Sequence, residues 1–124
     1  MRYALMFAIT VALLSLITPA FATASPVSKT VEAVNIEKAQ LSGKQVTLRG
    51  KVVKVNNGIM KRNFIHIVDG TGEGDNGKII ITSTQTAQVG DEIIATGTVG
   101  LDIDFTMGYK YDILIEKATI KPAM

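Results

Sequence analysis

The stretch "QVTLRGKVVKV", Gln45 to Val55, constrains the fold of this chain more than any other. Val46, Leu48, Gly50 and Val52 alternate with Gln45, Thr47, Arg49 and Lys51. A period of two puts the sets on opposite sides of an extended backbone, so the run reads as a half-buried strand. The phase slips at Val52-Val53, after which Lys54 points out and Val55 in. One extra residue in a strand is a β-bulge, and Gly50 just before it permits a sharp bend. A long strand that bends midway lets a small closed sheet turn a corner.

Shorter runs continue the pattern. Asn56-Asn57-Gly58 has turn chemistry, because these residues tolerate positive φ. "NFIHIV" follows as a second strand, closed by Asp69-Gly70-Thr71-Gly72, with Asp69 expected to hold that turn through backbone amides. "KIIITS" is a third strand, and Glu92 to Val99 a fourth after a turn at Gly90-Asp91. "LDIDFTMGYK" reads as an irregular loop, and "YDILIEKATI" as a fifth strand with Tyr111, Ile113 and Ile115 on one face. One short helix precedes them, capped by Asn35 and stopped by Ser42-Gly43. Strands with local turns and no strand–helix alternation define an all-β chain. The expected architecture is a five-stranded OB-fold barrel with a short N-terminal helix, and an SH3-like barrel is the alternative.

The first residues stand apart. Arg2 is followed by an apolar run from Tyr3 to Ile17, then by Ala20-Phe21-Ala22 and Ala22-Thr23-Ala24. This is the order of a cleavable signal peptide over 1–24, and it places the protein in the periplasm as an exported chain. The run is short for a membrane span, which needs about 20 residues. The division expected is a signal peptide at 1–24, a flexible tether at 25–30, the OB-fold domain at 31–120 and a tail at 121–124. The sequence has no cysteine, so neither a disulfide nor a thiolate metal site can form. Its formal net charge of +2 is far from the strongly basic balance of a dedicated nucleic-acid binder.

Three segments carry a family likeness. They are "LSGKQVTLRGKVVKV" with Val46, Gly50 and Val52, "NFIHIVDGTG" with Asp69, Thr71 and Gly72, and "VGDEIIATGTV" with Gly90, Asp91, Ile93, Gly97 and Val99. Together they resemble the OB-fold family of the tRNA-anticodon-binding type, and more narrowly a group of small exported bacterial proteins of this fold. The resemblance covers roughly Val31 to Ile120. It implies a nucleic-acid-binding type of module in a bacterial envelope, and most of the matched residues turn the chain or fill its interior.

In an OB-fold the ligand surface lies on strands two and three, between two flanking loops. Here those loops are "NNGIMKRN" and "GLDIDFTMGYK". Ile65 and Ile67 suit the core, which turns Phe64 and His66 outward onto that surface. Three readings follow. For nucleic acid, Phe64 and Tyr109 would stack on bases while Arg49, Lys51, Lys54, Lys61 and Arg62 track phosphates. For a soft metal, Met60, His66 and Met107 would converge on Cu(I), the one cofactor the sequence suggests. In the third, His66 is a surface histidine, the methionines plug loop tips and the charges solvate the molecule. A protein partner in the envelope, or another anionic ligand, is a further use for the same polar face.

An enzyme is not expected. There is one histidine and no Ser-His motif, and "GTGEGDNG" lacks the Lys-Ser/Thr ending of a phosphate loop. The acidic "DGTGEGDNG" lacks EF-hand spacing.

Overall fold

The computed structural model describes residues 25–106 and 108–123; the signal-peptide expectation over 1–24 and Met107 lie outside the described residues. The elements are β1 (Val27–Ser28), α1 (Val31–Ile36), α2 (Lys38–Leu41), β2 (Gln45–Ile59), β3 (Arg62–Val68), β4 (Lys78–Ser83), β5 (Glu92–Asp104) and β6 (Lys110–Pro122). The sheet order is β1-β2-β3-β4-β6-β5, and β5 pairs again with β2. The five long strands therefore close into a ring.

β2 makes this closure because it changes partners. Gln45 to Lys51 pair antiparallel with β5, and Lys51 onward pairs with β3. The register shift expected from the alternation falls between Val52 and Lys54. Gly50 stands at the change of partner, where a Cβ would lie 2.8 Å from the Val68 carbonyl oxygen and 3.1 Å from an Ile67 methyl. The bend needs the absence of a side chain there, not an unusual φ.

The core fills the ring. Val46, Leu48 and Val52 of β2 meet Ile65 and Ile67 of β3, Ile79 and Ile81 of β4, Ile93, Ala95 and Val99 of β5, and Ile115 of β6. Val31, Val34 and Leu41 of the helices join the same cluster. Burying each such aliphatic side chain contributes about 1.5–3 kcal/mol, and in the first half of β2 the alternating residues left outside, Gln45, Thr47, Arg49 and Lys51, are polar.

Several expectations need correction. The helical segment starts earlier than Asn35: Thr30 is the N-cap, its hydroxyl accepting from the Ala33 amide at 3.0 Å. Asn35 instead sits in the last turn and donates to the carbonyls of Val31 and Lys78 at 3.1 and 3.0 Å. The segment breaks at Glu37, and Gly43, at φ +80°, ends it as expected. Residues 25–30 are not wholly a tether, because Val27 and Ser28 pair in parallel with Val46 and Thr47, giving a sixth strand. β1 occupies the flank of β2 that β3 leaves free beyond Val68. Lys121 and Pro122 belong to β6, and the Ala123 amide donates to the Glu92 carbonyl at 2.9 Å, so these three residues of the expected tail are paired.

The hairpin in the second region also differs. Asn56 to Gly58 is not the turn; β2 runs through it to Ile59 with a second register shift. The two-residue turn is Met60-Lys61, with φ of +53° and +64°. Positive φ at both positions defines the type I′ hairpin, whose usual Asn-Gly signal is missing here. Gly58, at φ +74°, takes the extra residue of the bulge, and its amide donates to Asn63 Oδ1 at 2.9 Å. At the other end of the molecule, β5 and β6 do not stop at Gly100. They continue as a two-stranded arm, Leu101 opposite Ile113 and Ile103 opposite Tyr111, through what the sequence presents as loop.

Candidate functional site

The outer side of β2–β3–β4 is laid out in cross-strand rows. Lys51, Val68 and Lys78 form one row, Lys54, His66 and Ile80 the next, and Asn56, Phe64 and Thr82 the third. The inner side of β3 carries Ile65 and Ile67, both fully buried. The alternation therefore places Phe64 and His66 on the outer side, as the strand pattern requires.

Their surroundings then separate them. Phe64 is only 1% exposed, yet it lies outside the main core cluster. The β5–β6 arm covers it: Tyr111 stacks on it at 5.5 Å between ring centroids, and Phe105 meets it edge-on at 6.0 Å. Phe105 and Tyr111 close the triangle at 6.0 Å, and the Arg62 guanidinium sits 4.7 Å from the Phe105 centroid. Each aromatic pair adds about 0.5–1.5 kcal/mol beyond the area it buries. Phe64 is therefore the anchor of the arm and offers no face to a ligand, which corrects its assignment as a stacking residue. Arg62, expected to track phosphate, lies over the Phe105 ring, outside the groove that His66 lines.

His66 stays half-buried on the wall of a groove of about 390 Å³. Ile79 and Ile80 of β4, residues 110–113 of the arm, Asn35 and Lys38 of the helical segment, and Asp75, Asn76 and Lys78 complete the lining. Burial, with Lys54 and then Lys78 nearby, pushes the His66 imidazole below its ordinary 6.5, so it is neutral at pH 7. Three lysines line this groove and Lys54 flanks it, whereas Lys29–Glu37, at 2.7 Å, is the one ion pair among the described residues. The groove also holds Asp75 and Asp112, so its excess of positive charge is modest.

The other sequence candidates fall elsewhere. Arg49 pairs opposite Ile94 and Lys51 opposite Glu92, and both line a separate groove with Lys29, Asp69 and Thr71. Lys61 and Met60 occupy the hairpin tip, and Tyr109, 42% exposed, the end of the arm. The metal set does not assemble from what is described. Met60 precedes His66 by six positions, and β3 at about 3.3 Å per residue carries them well beyond shared-ligand reach, with buried Phe64 in between. Among the described residues no group of three His, Cys, Asp or Glu side chains is placed to hold a metal ion.

Lys38, Lys78, Lys110 and Tyr111 are the groove residues that sequence reasoning did not select. Lys78 and Ile80 alternate on the same face of "KIIITS" that adjoins His66, and that signal was present. Lys38 and Lys110 arrive only because the helix and the arm fold over the sheet.

The Asp69 turn fits its sequence reading. One carboxylate oxygen accepts from the Thr71 amide at 3.0 Å and from the Thr71 hydroxyl, and the other from the Val31 amide at 2.9 Å. Thr71 Oγ1 in turn accepts from the Glu32 amide at 3.0 Å. Burial acts to raise the Asp69 pKa, but these hydrogen bonds together outweigh it and hold the carboxyl below its ordinary 3.8. "DGT" thus ties the end of β3 to the start of α1.

No family model matches the chain, and no curated protein matches its sequence. Solved structures do match in shape. A putative aspartyl-tRNA synthetase from Leishmania major Friedlin aligns at a TM-score of 0.52 and 12% identity, over 89% of this chain and 24% of that one. The chain thus spans about a quarter of that protein. A DUF3299 family protein from Pseudomonas aeruginosa PAO1 aligns at 0.55 and 10% identity, over 82% of this chain and 98% of that one. Pot1pC of Schizosaccharomyces pombe, bound to single-stranded DNA, aligns at only 0.42 over 66% of this chain with 11% identity, too loose a likeness to carry a conclusion. With the ring of strands, the first two likenesses define a mostly-β protein of OB-like fold. At these identities they speak to fold alone.

Proposed function

We propose that this chain is a non-catalytic binding module whose ligand carries negative charge and lies in the groove between His66 and the β5–β6 arm. One observation carries the reading: Lys38, Lys78 and Lys110 line that groove against Asp75 and Asp112, and among the described residues none of the three lysines forms an ion pair. An anion placed in the groove gains from three positive charges, opposed by the two carboxylates. The neutral His66 adds a hydrogen-bonding imidazole, and Ile80 and Ile113 add apolar floor. The signal-like sequence of 1–24 supports a place in the bacterial envelope, where the ligand would be a partner protein or another anion.

The test is a titration of the folded domain with fluorescent anionic probes, oligothymidylate and oligoglutamate, against a Lys78→Glu/Lys110→Glu variant. The expected result is binding that weakens with salt and falls at least about tenfold in the variant. Equal binding by the variant overturns the reading.

A further inference from the structure

The groove is also a gap between two strand edges. β4 ladders with β3 from Lys78 to Ser83, but meets β6 at a single pair, Ile81 with Ile115. From Lys110 to Leu114, β6 pairs with β5 alone. The backbones of Lys78–Ile80 and of residues 110–113 therefore border the groove without a ladder partner on that side. On the β4 edge, the Lys78 carbonyl accepts from the Asn35 side chain at 3.0 Å. An unpaired edge inside a groove is ready to accept one more strand.

Resting on the anionic-ligand reading above, we infer that the groove takes an extended acidic segment of a partner protein. The segment adds its main chain to the free edge of β4 and sets its carboxylates against Lys38, Lys78 and Lys110. Two observations favour a peptide over a nucleic-acid strand. First, single-stranded nucleic acid gains much of its affinity from bases stacked on exposed aromatic rings. Here Phe64 is 1% exposed and Phe105 is spanned by Arg62, so the groove lining offers one aromatic ring, Tyr111, with one face already stacked on Phe64, and Tyr109 lies at the arm's end. Second, cationic and aliphatic side chains share the lining, Lys78 with Ile80 and Lys110 with Ile113. Lys78 and Ile80 share the outer face of β4 and Ile79 the inner one, so a strand alternating acidic and aliphatic residues continues both, its carboxylates beside Lys78 and its aliphatic side chains beside Ile79. The Asn35 side chain already takes the Lys78 carbonyl, and the remaining edge of three or four residues gives a strand footprint about 10–13 Å long.

The experiment compares three probes on the folded domain: a short alternating Glu-Val peptide, an alternating Glu-Pro peptide of equal charge, and an oligothymidylate of equal charge. Proline removes amide donors and disfavours strand pairing. Amide hydrogen exchange of Lys78–Ile80 is followed with and without each probe. Tighter binding of the Glu-Val peptide by at least about tenfold over Glu-Pro, with slowed exchange on the β4 edge, is the expected result. Equal binding of the two peptides with unchanged exchange overturns strand addition while leaving the anionic groove intact. Oligothymidylate binding more tightly than Glu-Val overturns the peptide and assigns the groove to nucleic acid. Failure of every probe, with folding verified by circular dichroism, overturns both readings together.

Discussion

At the residue scale, two side chains separate structure from function. Phe64 looks like a ligand-stacking residue in the sequence and is an anchor in the structure. Phe64→Ala is expected to cost about 3–5 kcal/mol in denaturant unfolding, the range for losing a buried aromatic. A surface stacking residue would change stability by only a few tenths. Asp69 is the second. Its lowered carboxyl pKa means that the stability it contributes is fully present above 3.8 and is lost as pH falls through its lower folded value. Asp69→Asn should lower stability at neutral pH by about 1–3 kcal/mol and flatten the acid limb of the stability–pH curve. His66 gives the opposite kind of test. Its folded pKa lies below the 6.5 of the unfolded chain, so the unfolded state binds the proton first and stability falls as pH drops from 6.5 towards that folded value. His66→Gln should remove this slope, read by thermal unfolding across the same pH range.

At the scale of elements, the outer pieces are held by side chains that copy strand pairing. Gln85 donates to the Ile120 carbonyl at 3.0 Å and accepts from the Ile120 amide at 2.8 Å, and Ser83 Oγ donates to the Ala118 carbonyl at 2.6 Å. Together they pin β6 where its pairing with β5 is interrupted at Gly97, with Lys117 at φ +53°. A Cβ on Gly97 would lie 2.8 Å from the Glu116 carbonyl oxygen, so the crossing is closed to larger residues. Gln85→Ala leaves the amide and carbonyl of Ile120 without partners and should cost about 1–3 kcal/mol. Exchange of the Ile120 amide should rise with it. Sequence reasoning did not find this clamp, because a glutamine in a polar loop has no periodicity to announce its partner 35 residues away.

At the scale of the whole molecule, closure of the ring is shared by distant segments. β1 lies along the N-terminal half of β2, with the Lys29 amide donating to the Thr47 carbonyl at 3.0 Å. Removing residues 25–29 should expose the backbone at Thr47 and lower the melting temperature by about 4–8 °C for each kcal/mol lost. The surface charge is likewise a property of the whole. Lys38, Lys78 and Lys110 come from three elements, so charge reversal at any two should weaken anion binding and reduce its salt dependence, read by titration at several salt concentrations.

The sequence by itself determined the class of fold, because strand alternation is a local property. The slip at Val52-Val53, the β3 and β4 runs and the Asp69 turn were legible residue by residue, since each depends on neighbours a few positions away. Glycine and asparagine misled at Asn56-Asn57-Gly58, because the backbone placed the turn on Met60-Lys61 against local preference. Tertiary structure alone decided which outward residues are free. The arm from Leu101 to Ile113 folds over β3, buries Phe64 and leaves His66 in a groove with lysines from elsewhere. Alternation tells which side of a strand a residue faces; only packing at long range tells what covers that side.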